Sequence, residues 1–267
     1  MPELPEVKTI QTQLKKILPF KILKTSKSAV IKSILHTKIP NLKDTKIDKI
    51  TRHGKCLIFH FSNSTFLLSH LGMTGSWRIS HKRLKEKHVH FCFLSDNTFL
   101  SYVDPRRFGH MYFFNHEELK VYLTRLGPDL LSKEMSAEFI WEKIQKYPNR
   151  ELKPFLLEQK FFAGSGNYIA NEVCARAKIH PQRLNSTLNR KDATKIKKGF
   201  DTILNDSIKN NGVTFQGGYS DAFGEKGKGV QNLVVFHQKT CGMCKKAEIK
   251  KINLKGRGTF YCPQCQI

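Results

Sequence analysis

CLIFHFSNSTFLL, at residues 56–68, contains two short apolar and aromatic runs separated by Ser-Asn-Ser. Runs of this kind predict β-strands, and the polar interruption predicts a turn, so the segment is predicted to form a hairpin. A second hairpin is predicted where FCFL at 91–94 and FLSYV at 99–103 flank SDNT. Short strands with regular turn signals predict a β-sandwich or a barrel over residues 20–130.

Helical patterns lie on both sides of this β-rich region. Before it, Val7, Ile10, Leu14 and Ile17 recur at helical spacing, and after Leu126-Gly127-Pro128 the helical pattern returns. Three further apolar faces are Phe139, Ile140, Ile144 and Tyr147; Ile169, Val173 and Ala177; and Ile196, Phe200, Ile203, Leu204 and Ile208. Asn211-Gly212 predicts the end of the third of these helices. The glycine-rich residues 217–229 predict a mobile loop.

The composition favours a globular protein that binds a polyanion. Hydrophobic residues make up 39% of the 267 residues, which is enough for a core and too many for a disordered chain. Lysine and arginine total 46 against 22 acidic residues, a net charge of +24. Nucleic acid is the favoured partner, ahead of an anionic membrane. The sequence shows no signal peptide and no apolar run of the roughly 20 residues that a membrane span needs.

The N-terminal residues Met1-Pro2-Glu3-Leu4-Pro5-Glu6-Val7 contain a candidate nucleophile. Removal of Met1 would leave Pro2 with a free secondary amine, and α-amines have a reference pKa of about 7.7–8.0. Part of that amine is unprotonated near neutral pH and can attack an electrophilic carbon. Glu3, its neighbour, could move protons during the attack. The alternative from these residues alone is a proline-rich lead-in to a helix with acidic residues in its first turn.

Four of the seven cysteines form two CxxC pairs, Cys241–Cys244 and Cys262–Cys265, separated by residues 245–261. This spacing is typical of a closed, structural four-cysteine zinc site. A redox CxxC pair is the weaker alternative, because it needs no second copy. Between the pairs lie several cations, so a zinc-stapled hairpin is predicted to contact DNA. Cys56, Cys92 and Cys174 lie in apolar surroundings and are predicted to be buried thiols.

Six motifs occur in a specific order along nearly the whole chain, from residue 2 to residue 266. They are PELPEV at 2–7, HLGMTGSWRI at 70–79, DPRRFG at 104–109, LGPDLL at 126–131, GSGNYIANE at 164–172 and GRGTFYCPQC at 256–265. The set resembles the formamidopyrimidine-DNA glycosylase family, whose members excise oxidised purines and then cut the strand. The resemblance implies a bacterial, cytoplasmic, monomeric protein that acts on double-stranded DNA with oxidised bases or abasic sites and has no membrane partner.

The resemblance also implies a multi-domain α+β fold. Residues 1–130 would form a catalytic β-sandwich with flanking helices, which agrees with the strand pattern. Residues 131–230 would form a helix–two-turn–helix DNA-binding domain with a lesion-capping loop. Residues 231–267 would form the zinc ribbon, which holds one structural Zn²⁺.

The resemblance assigns catalytic roles to four residues. Pro2 would attack C1′ of the damaged nucleotide, and Glu3 would assist departure of the base. Lys55 would contact phosphates flanking the lesion and assist elimination, and Arg257 would grip phosphates at the lesion and assist the second elimination. Glu6 and Glu172 correspond to supporting residues of the active site.

The resemblance assigns further residues to DNA binding. Glycosylases extrude the damaged nucleotide, and wedge side chains hold the distorted duplex. Three residues match the family's void fillers: Met73, Arg106 and Phe108. Taken alone, Met73 and Phe108 would be assigned to the core, but flanking glycine and proline turns favour exposed loop tips. Contacts to DNA are implied for His88, Arg150 and Asn167, and glycines before a helix also favour phosphate binding at Asn167.

The sequence departs from the family pattern at two places. Tyr168-Ile169 reverses an order common in the family, a change that we expect to be tolerated, whereas residues 217–230 differ from the usual lesion-capping loop. Base preference is therefore open between oxidised purines and the oxidised pyrimidines of endonuclease-VIII-like enzymes, although Leu4 and HLGM at 70–73 favour purines. A non-catalytic zinc-ribbon DNA-binding protein is the alternative from another class.

Overall fold

The structure is a computed structural model that describes residues 2–215 and 218–267. By contacts the chain divides into two compact units. The first unit comprises residues 1–125 and 210–230, and the second comprises residues 126–209 and 231–267. Met1 and Gly217, which enter the predictions about the N-terminus and the 217–230 loop, lie outside the described residues.

The first unit is a two-sheet sandwich preceded by a helix. Helix α1 spans Leu4–Leu14, and α2 spans His116–Leu123. The strands are β1 Phe20–Lys21, β2 Lys24–Lys27, β3 Lys46–His53, β4 Cys56–Phe61, β5 Phe66–His70, β6 Ser76–Ser80, β7 Val89–Ser95, β8 Thr98–Val103 and β9 His110–Phe114. One sheet has the order β1-β3-β4-β5-β9 and the other β2-β7-β8-β6, with every strand pair antiparallel. Both predicted hairpins are therefore present, as β4–β5 and β7–β8.

The sandwich core forms because alternate residues of each strand point inward. Trp77 on β6 is fully buried and stacks on Phe93 of β7 at a centroid distance of 5.8 Å. Its indole Nε1 donates a 3.0 Å hydrogen bond to Oγ of buried Ser69, so its polar atom is satisfied inside the core. Val7, Ile10 and Leu14 of α1 join the same core cluster, which confirms the predicted helical face.

The second unit combines four helices with a small hairpin. The helices are α3 Ala137–Lys146, α4 Leu152–Leu156, α5 Asn167–Arg176 and α6 Arg190–Lys209, and the hairpin strands are β10 Lys250–Leu254 and β11 Arg257–Tyr261. Short 3₁₀ turns occur in both units. They lie at Lys15–Ile17 and Ile31–Ser33 in the first unit, at Asn185–Thr187 in the second, and at Gly229–Asn232, where the chain passes from the first unit to the second. Asn211 and Gly212 follow α6 with positive φ angles of 56° and 90°, as the predicted helix end requires.

The hairpin is fixed to α4 and α5 by buried polar contacts. Asn171 of α5 accepts a 2.7 Å hydrogen bond from the Phe260 amide. The fully buried Lys153 of α4 donates to Oγ1 of Thr259 at 2.8 Å. The ribbon therefore belongs to the helical unit by contacts, and residues 210–230 belong to the sandwich unit. The predicted division into 1–130, 131–230 and 231–267 stays a prediction about functional parts.

No helix within residues 2–215 and 218–267 is both long and apolar enough to cross a membrane.

Candidate active site and nucleic-acid interface

Pro2 and Glu3 lead directly into α1, and Glu6 lies in its first turn. Pro2, Glu3 and Glu6 are all buried. Glu3 is the N-cap and forms a capping box with Glu6, whose Oε2 accepts the Glu3 amide at 2.7 Å. Oε1 of Glu6 accepts the Val213 amide at 2.7 Å. One buried carboxylate therefore holds both the start of α1, next to Pro2, and the segment that follows α6.

Asp104 joins two loops of the sandwich. Its side chain is fully buried, and Oδ1 accepts a 2.6 Å hydrogen bond from Oγ1 of Thr74. Oδ2 accepts the Gly109 amide at 2.8 Å and the Tyr102 hydroxyl at 3.4 Å. The loop between β5 and β6 and the loop between β8 and β9 are thus held by one carboxylate. We call this arrangement the Asp104 clamp.

The clamp presents the three predicted void fillers on adjoining loops. Met73 is 39% exposed and Phe108 is 45% exposed, as predicted for loop tips rather than core residues. The Arg106 guanidinium lies 4.8 Å from the centroid of the Phe108 ring. Gly72 has a φ of +62°, and a Cβ there would lie 2.1 Å from the Phe108 carbonyl oxygen. Only glycine allows the two loop backbones to approach so closely.

Lys55 lies in the β3–β4 turn, where its side chain is largely buried. The preceding residue, Gly54, has a positive φ of 55°, as a tight turn requires. Burial, Lys55 and His110 all lower the pKa of His70, to about 4, with burial the largest cause. Nδ1 of the His70 ring accepts the Gly72 amide at 3.2 Å, so the neutral ring supports the start of the Met73 loop.

His88 is half-exposed just before β7, and its carbonyl oxygen accepts the Asp104 amide at 3.0 Å. It therefore flanks the Asp104 clamp.

Residues 218–230 are anchored to the sandwich unit by several hydrogen bonds. Asp221 accepts from the Gln13 side chain at 2.6 Å, and the Ala222 amide donates to the same side chain at 2.8 Å. The Ile79 amide of β6 donates to the Ala222 carbonyl at 2.9 Å. Phe223, directly after Ala222, is 52% exposed. Beyond it, the Gly227 amide donates to Oγ1 of Thr214 at 2.8 Å, and the Gly229 amide donates to the Gly212 carbonyl at 2.9 Å. Hydrogen bonds thus hold the chain on both sides of Phe223, and the mobility of residues 217–229 stays a prediction.

In the second unit, Asn167 contacts the ribbon backbone next to Arg257. Asn167 is the first residue of α5, and its Nδ2 donates to the Gly258 carbonyl at 3.1 Å. Lys153 donates to the same carbonyl at 3.3 Å. Arg257, next to Gly258, is exposed. The contact places a helix N-terminus, its first amide side chain and an arginine together, which suits phosphate binding.

Arg150 and Arg257 line one pocket of about 200 Å³, together with Lys255. The Arg150 guanidinium also lies 3.5 Å from Oε1 of Glu158. The predicted DNA contact Arg150 therefore lies in the same pocket as Arg257, which is predicted to grip phosphates.

Glu172 supports the chain that leads into the ribbon. Its carboxylate is fully buried and accepts the amides of Val234, Val235 and Phe236 at 2.9–3.0 Å. Burial raises the pKa of Glu172, while these three amides and Arg176 oppose that rise. The contacts give Glu172 a structural role within the helical unit.

The four predicted metal ligands come together. The sulfur atoms of Cys241, Cys244, Cys262 and Cys265 all lie within 4.8 Å of one another. The Cys241–Cys265 and Cys244–Cys262 sulfur pairs are separated by 4.0 and 3.9 Å. A tetrahedral zinc with Zn–S bonds of ~2.3 Å needs sulfur separations of about 3.8 Å, so the set fits this ion. Cys56, Cys92 and Cys174 are buried thiols, as predicted.

Sequence reasoning assigned no role to Asp104 or Lys153. Asp104 was visible only as the first residue of a turn motif, and Thr74, the partner that links it to the other loop, lies 30 residues away. Lys153 is a single charged residue within the otherwise apolar sequence of α4. A lone charge in a buried run signals a specific partner, but the partner itself cannot be identified from the sequence.

Comparison with known proteins yields matches over the whole chain. Residues 1–111 match the family model of the formamidopyrimidine-DNA glycosylase N-terminal domain, and residues 126–217 match that of the formamidopyrimidine-DNA glycosylase H2TH domain. The chain is 33% identical over 276 residues to a formamidopyrimidine-DNA glycosylase of Listeria monocytogenes, with all of both chains covered. It is 34% identical over 283 residues to one of Bacillus cereus, covering 100% of this chain and 99% of the relative.

Solved structures with the same fold contain damaged DNA. A mutant of the Lactococcus lactis Fpg protein in complex with Fapy-dG-containing DNA matches with a TM-score of 0.91, 32% identity and 99% of each chain covered. The Lactococcus lactis Fpg protein bound to DNA with an abasic site matches with a TM-score of 0.90 at the same identity and coverage.

Proposed function

The chain belongs to the formamidopyrimidine-DNA glycosylase family, a family of DNA-repair glycosylases, and from this premise we propose that it removes oxidised purines from duplex DNA and then cleaves the strand. The observation that carries the proposal is the Asp104 clamp with its three exposed side chains, Met73, Arg106 and Phe108. A protein that binds DNA and leaves the bases stacked does not need an exposed methionine and an exposed phenylalanine at fixed loop tips. An enzyme that extrudes a nucleotide must fill the space left behind.

The substrate class rests on relatives. Formamidopyrimidine lesions and abasic sites are the damage named for the bound DNA of the Lactococcus lactis proteins. We extend that class to this chain, together with 8-oxoguanine. Leu4 and the HLGM run at 70–73 favour the purine over the pyrimidine branch of the family.

The first chemical step uses Pro2, after removal of Met1. The lone pair of its amine forms a bond to C1′ while the glycosidic bond breaks, and the bonding pair leaves with the base. Glu3 supplies the proton that the departing base needs. The nitrogen then loses its proton, and its lone pair forms the double bond to C1′ as the C1′–O4′ bond breaks. O4′ takes up a proton, which leaves an opened sugar joined to Pro2 as a Schiff base.

Strand cleavage follows from the Schiff base, which acts as an electron sink. Loss of a proton from C2′ expels the 3′ phosphate, and a second elimination expels the 5′ phosphate. Lys55 and Arg257 hold the phosphates on which negative charge develops. Glu6 orders the first turn of α1, so the amine and Glu3 keep a fixed geometry.

The ribbon would hold one Zn²⁺ on Cys241, Cys244, Cys262 and Cys265, and the ion would have a structural role. It would fix the base of the β10–β11 hairpin, from whose second strand Arg257 projects.

Borohydride trapping on a duplex containing 8-oxoguanine tests the proposal. We expect a covalent protein–DNA adduct that peptide mapping places on Pro2. An uncleaved N-terminal extension converts that nitrogen to an amide and should abolish trapping while duplex binding persists. An adduct on Lys55, or one that survives the extension, would contradict the proposed nucleophile. Retention of Met1 in the purified protein, read from its intact mass, would favour the non-catalytic alternative.

Glu3→Gln separates base departure from strand cleavage. It should lower excision of an intact lesion far more than cleavage at a preformed abasic site, where no base has to leave. Glu117→Gln, which removes an exposed carboxylate of α2, is the matched control and should change neither rate.

A further inference from the structure

A cationic cavity in the helical unit contains none of the residues proposed above for catalysis, DNA binding or zinc. It has a volume of about 430 Å³ and is bounded by the end of α5, one face of α6 and the first cysteine knuckle. Its cations are Arg176, Lys178, Lys195 and Lys198. Its uncharged lining includes the buried Ala177 and Gly199 and the half-buried Met243, which we call its floor. We call this cavity the α5–α6 pocket.

Helix geometry explains the arrangement. Lys195, Lys198, Gly199 and Thr202 follow the i, i+3, i+4, i+7 spacing of a single helical face. At the end of α5, Lys178 adopts a positive φ of 60° and closes the turn with a 2.8 Å bond from its amide to the Ala175 carbonyl. Met243 is half-buried between two metal-ligand cysteines of the knuckle. An apolar floor thus lies beneath a rim of cations.

Two of the four cations that line the pocket form salt bridges within the described residues, and the other two do not. Arg176 lies 3.4 Å from Glu172 and 3.8 Å from Asp206, and Lys195 lies 2.9 Å from Asp192. Lys178 and Lys198 have no carboxylate within the 4.0 Å salt-bridge distance anywhere in residues 2–215 and 218–267. Unpaired cations on a concave surface raise the local concentration of anionic ligands.

We propose that the α5–α6 pocket binds an acidic segment of a partner protein, with carboxylates on the lysine rim and one apolar side chain on the floor. The apolar floor favours a peptide over nucleic acid, because a phosphodiester backbone gains nothing from burying Ala177, Gly199 and Met243. A cavity of this volume holds a phenylalanine or leucine side chain with room for adjoining backbone. Binding here would recruit the glycosylase without using the residues proposed for catalysis.

The probe is a fluorescein-labelled peptide of four glutamates followed by Phe-Leu, added to the zinc-loaded full chain. Anisotropy should show binding, and replacing Phe-Leu by Ser-Ser should weaken it at least about tenfold, since the floor is then unused. The double variant Lys178→Glu, Lys198→Glu should weaken the original peptide about tenfold or more. Thr202→Trp, which fills the cavity without changing charge, should do the same.

Lys191→Glu is the matched control, because Lys191 is an exposed lysine of α6 that does not line the pocket. It should change peptide affinity less than twofold, and all variants should keep wild-type melting temperatures and lesion excision. Equal weakening by Lys191→Glu, indifference to the Phe-Leu pair, or no binding at all would overturn the proposal. A loss of duplex affinity in the pocket variants as large as the loss of peptide affinity would assign the pocket to DNA and overturn it as well.

Discussion

Met73 shows at the scale of one residue how exposure separates a loop-tip side chain from a core side chain. The side chain is 39% exposed, so truncation removes little buried surface. We expect Met73→Ala to change the free energy of unfolding by no more than about 0.5 kcal/mol, yet to lower excision from duplex DNA strongly. Val121→Ala, another exposed apolar truncation, should lower neither. Thermal melts show whether stability falls, and single-turnover assays show whether excision falls. A large loss of stability would mean that Met73 is a core residue.

His70 is a residue whose environment no sequence pattern revealed. Burial, Lys55 and His110 lower its folded pKa to about 4, whereas the unfolded value is 6.5. Between these values the unfolded chain binds the proton and the folded chain does not. The contribution of the neutral ring is therefore complete above pH 6.5 and is lost as pH falls towards 4, by about 3 kcal/mol.

The variant His70→Asn tests this pH dependence, because its amide oxygen can still accept the Gly72 amide and cannot be protonated in this range. Denaturant titrations from pH 7 to pH 4 should show the free energy of unfolding falling less steeply in the variant than in the wild type. Parallel curves would show that His70 does not carry the effect.

The two loops held by Asp104 are the elements that sequence reasoning placed correctly but could not connect. Turn residues in HLGMTG and DPRRFG indicated loops with exposed tips, and both predictions are confirmed. The clamp was hidden because a hydrogen bond across 30 positions depends on how β5, β6, β8 and β9 pair. Strand order is a property of the folded sheet rather than of any local segment.

Asp104→Asn tests the clamp. In the variant an NH2 group replaces one carboxylate oxygen and cannot accept, so either the Thr74 hydroxyl or the Gly109 amide loses its present buried acceptor. We expect a loss of about 1–3 kcal/mol in the free energy of unfolding and a larger fall in excision than in cleavage of a preformed abasic site in single-stranded DNA. Equal falls on both substrates would mean that the clamp does not act through the void-filling loops.

The ribbon is the element that the sequence predicted most completely, because four cysteines at fixed spacing leave little choice of structure. Cys244→Ser removes one ligand, and folding of such ribbons is coupled to metal binding. Bound zinc should fall below one ion per chain, and duplex affinity should fall with the loss of an ordered Arg257, while the sandwich stays folded. Cys92→Ser is the control, because it replaces a thiol outside the ribbon that lies near two serine hydroxyls. This variant should still bind one zinc ion per chain. Full duplex binding by zinc-free protein would contradict the role of the ribbon.

For the whole molecule, the net charge of +24 predicts the partner class but not which cations contact it. The structure narrows the candidates, since Arg150, Lys255 and Arg257 line one pocket while Arg106 lies over Phe108 at a loop tip. Other cations are paired within the protein, such as Lys197 with Asp201. Composition therefore predicts attraction to DNA, and only the fold separates candidate contacts from charges that serve solubility or internal pairing.

Salt dependence tests that separation on the intact molecule. If Lys55, Arg106, Arg150 and Arg257 each neutralise one phosphate, the logarithm of duplex affinity should fall against the logarithm of salt concentration with a slope of about −4. Arg257→Gln removes one such contact and should make the slope less steep by about one. Arg257→Lys keeps the charge and should leave the slope unchanged while lowering the rate of the second elimination, because a lysine loses the bidentate geometry of the guanidinium. A slope near zero in the wild type would mean that phosphates do not supply the affinity, and an unchanged slope in Arg257→Gln would remove Arg257 from the phosphate contacts.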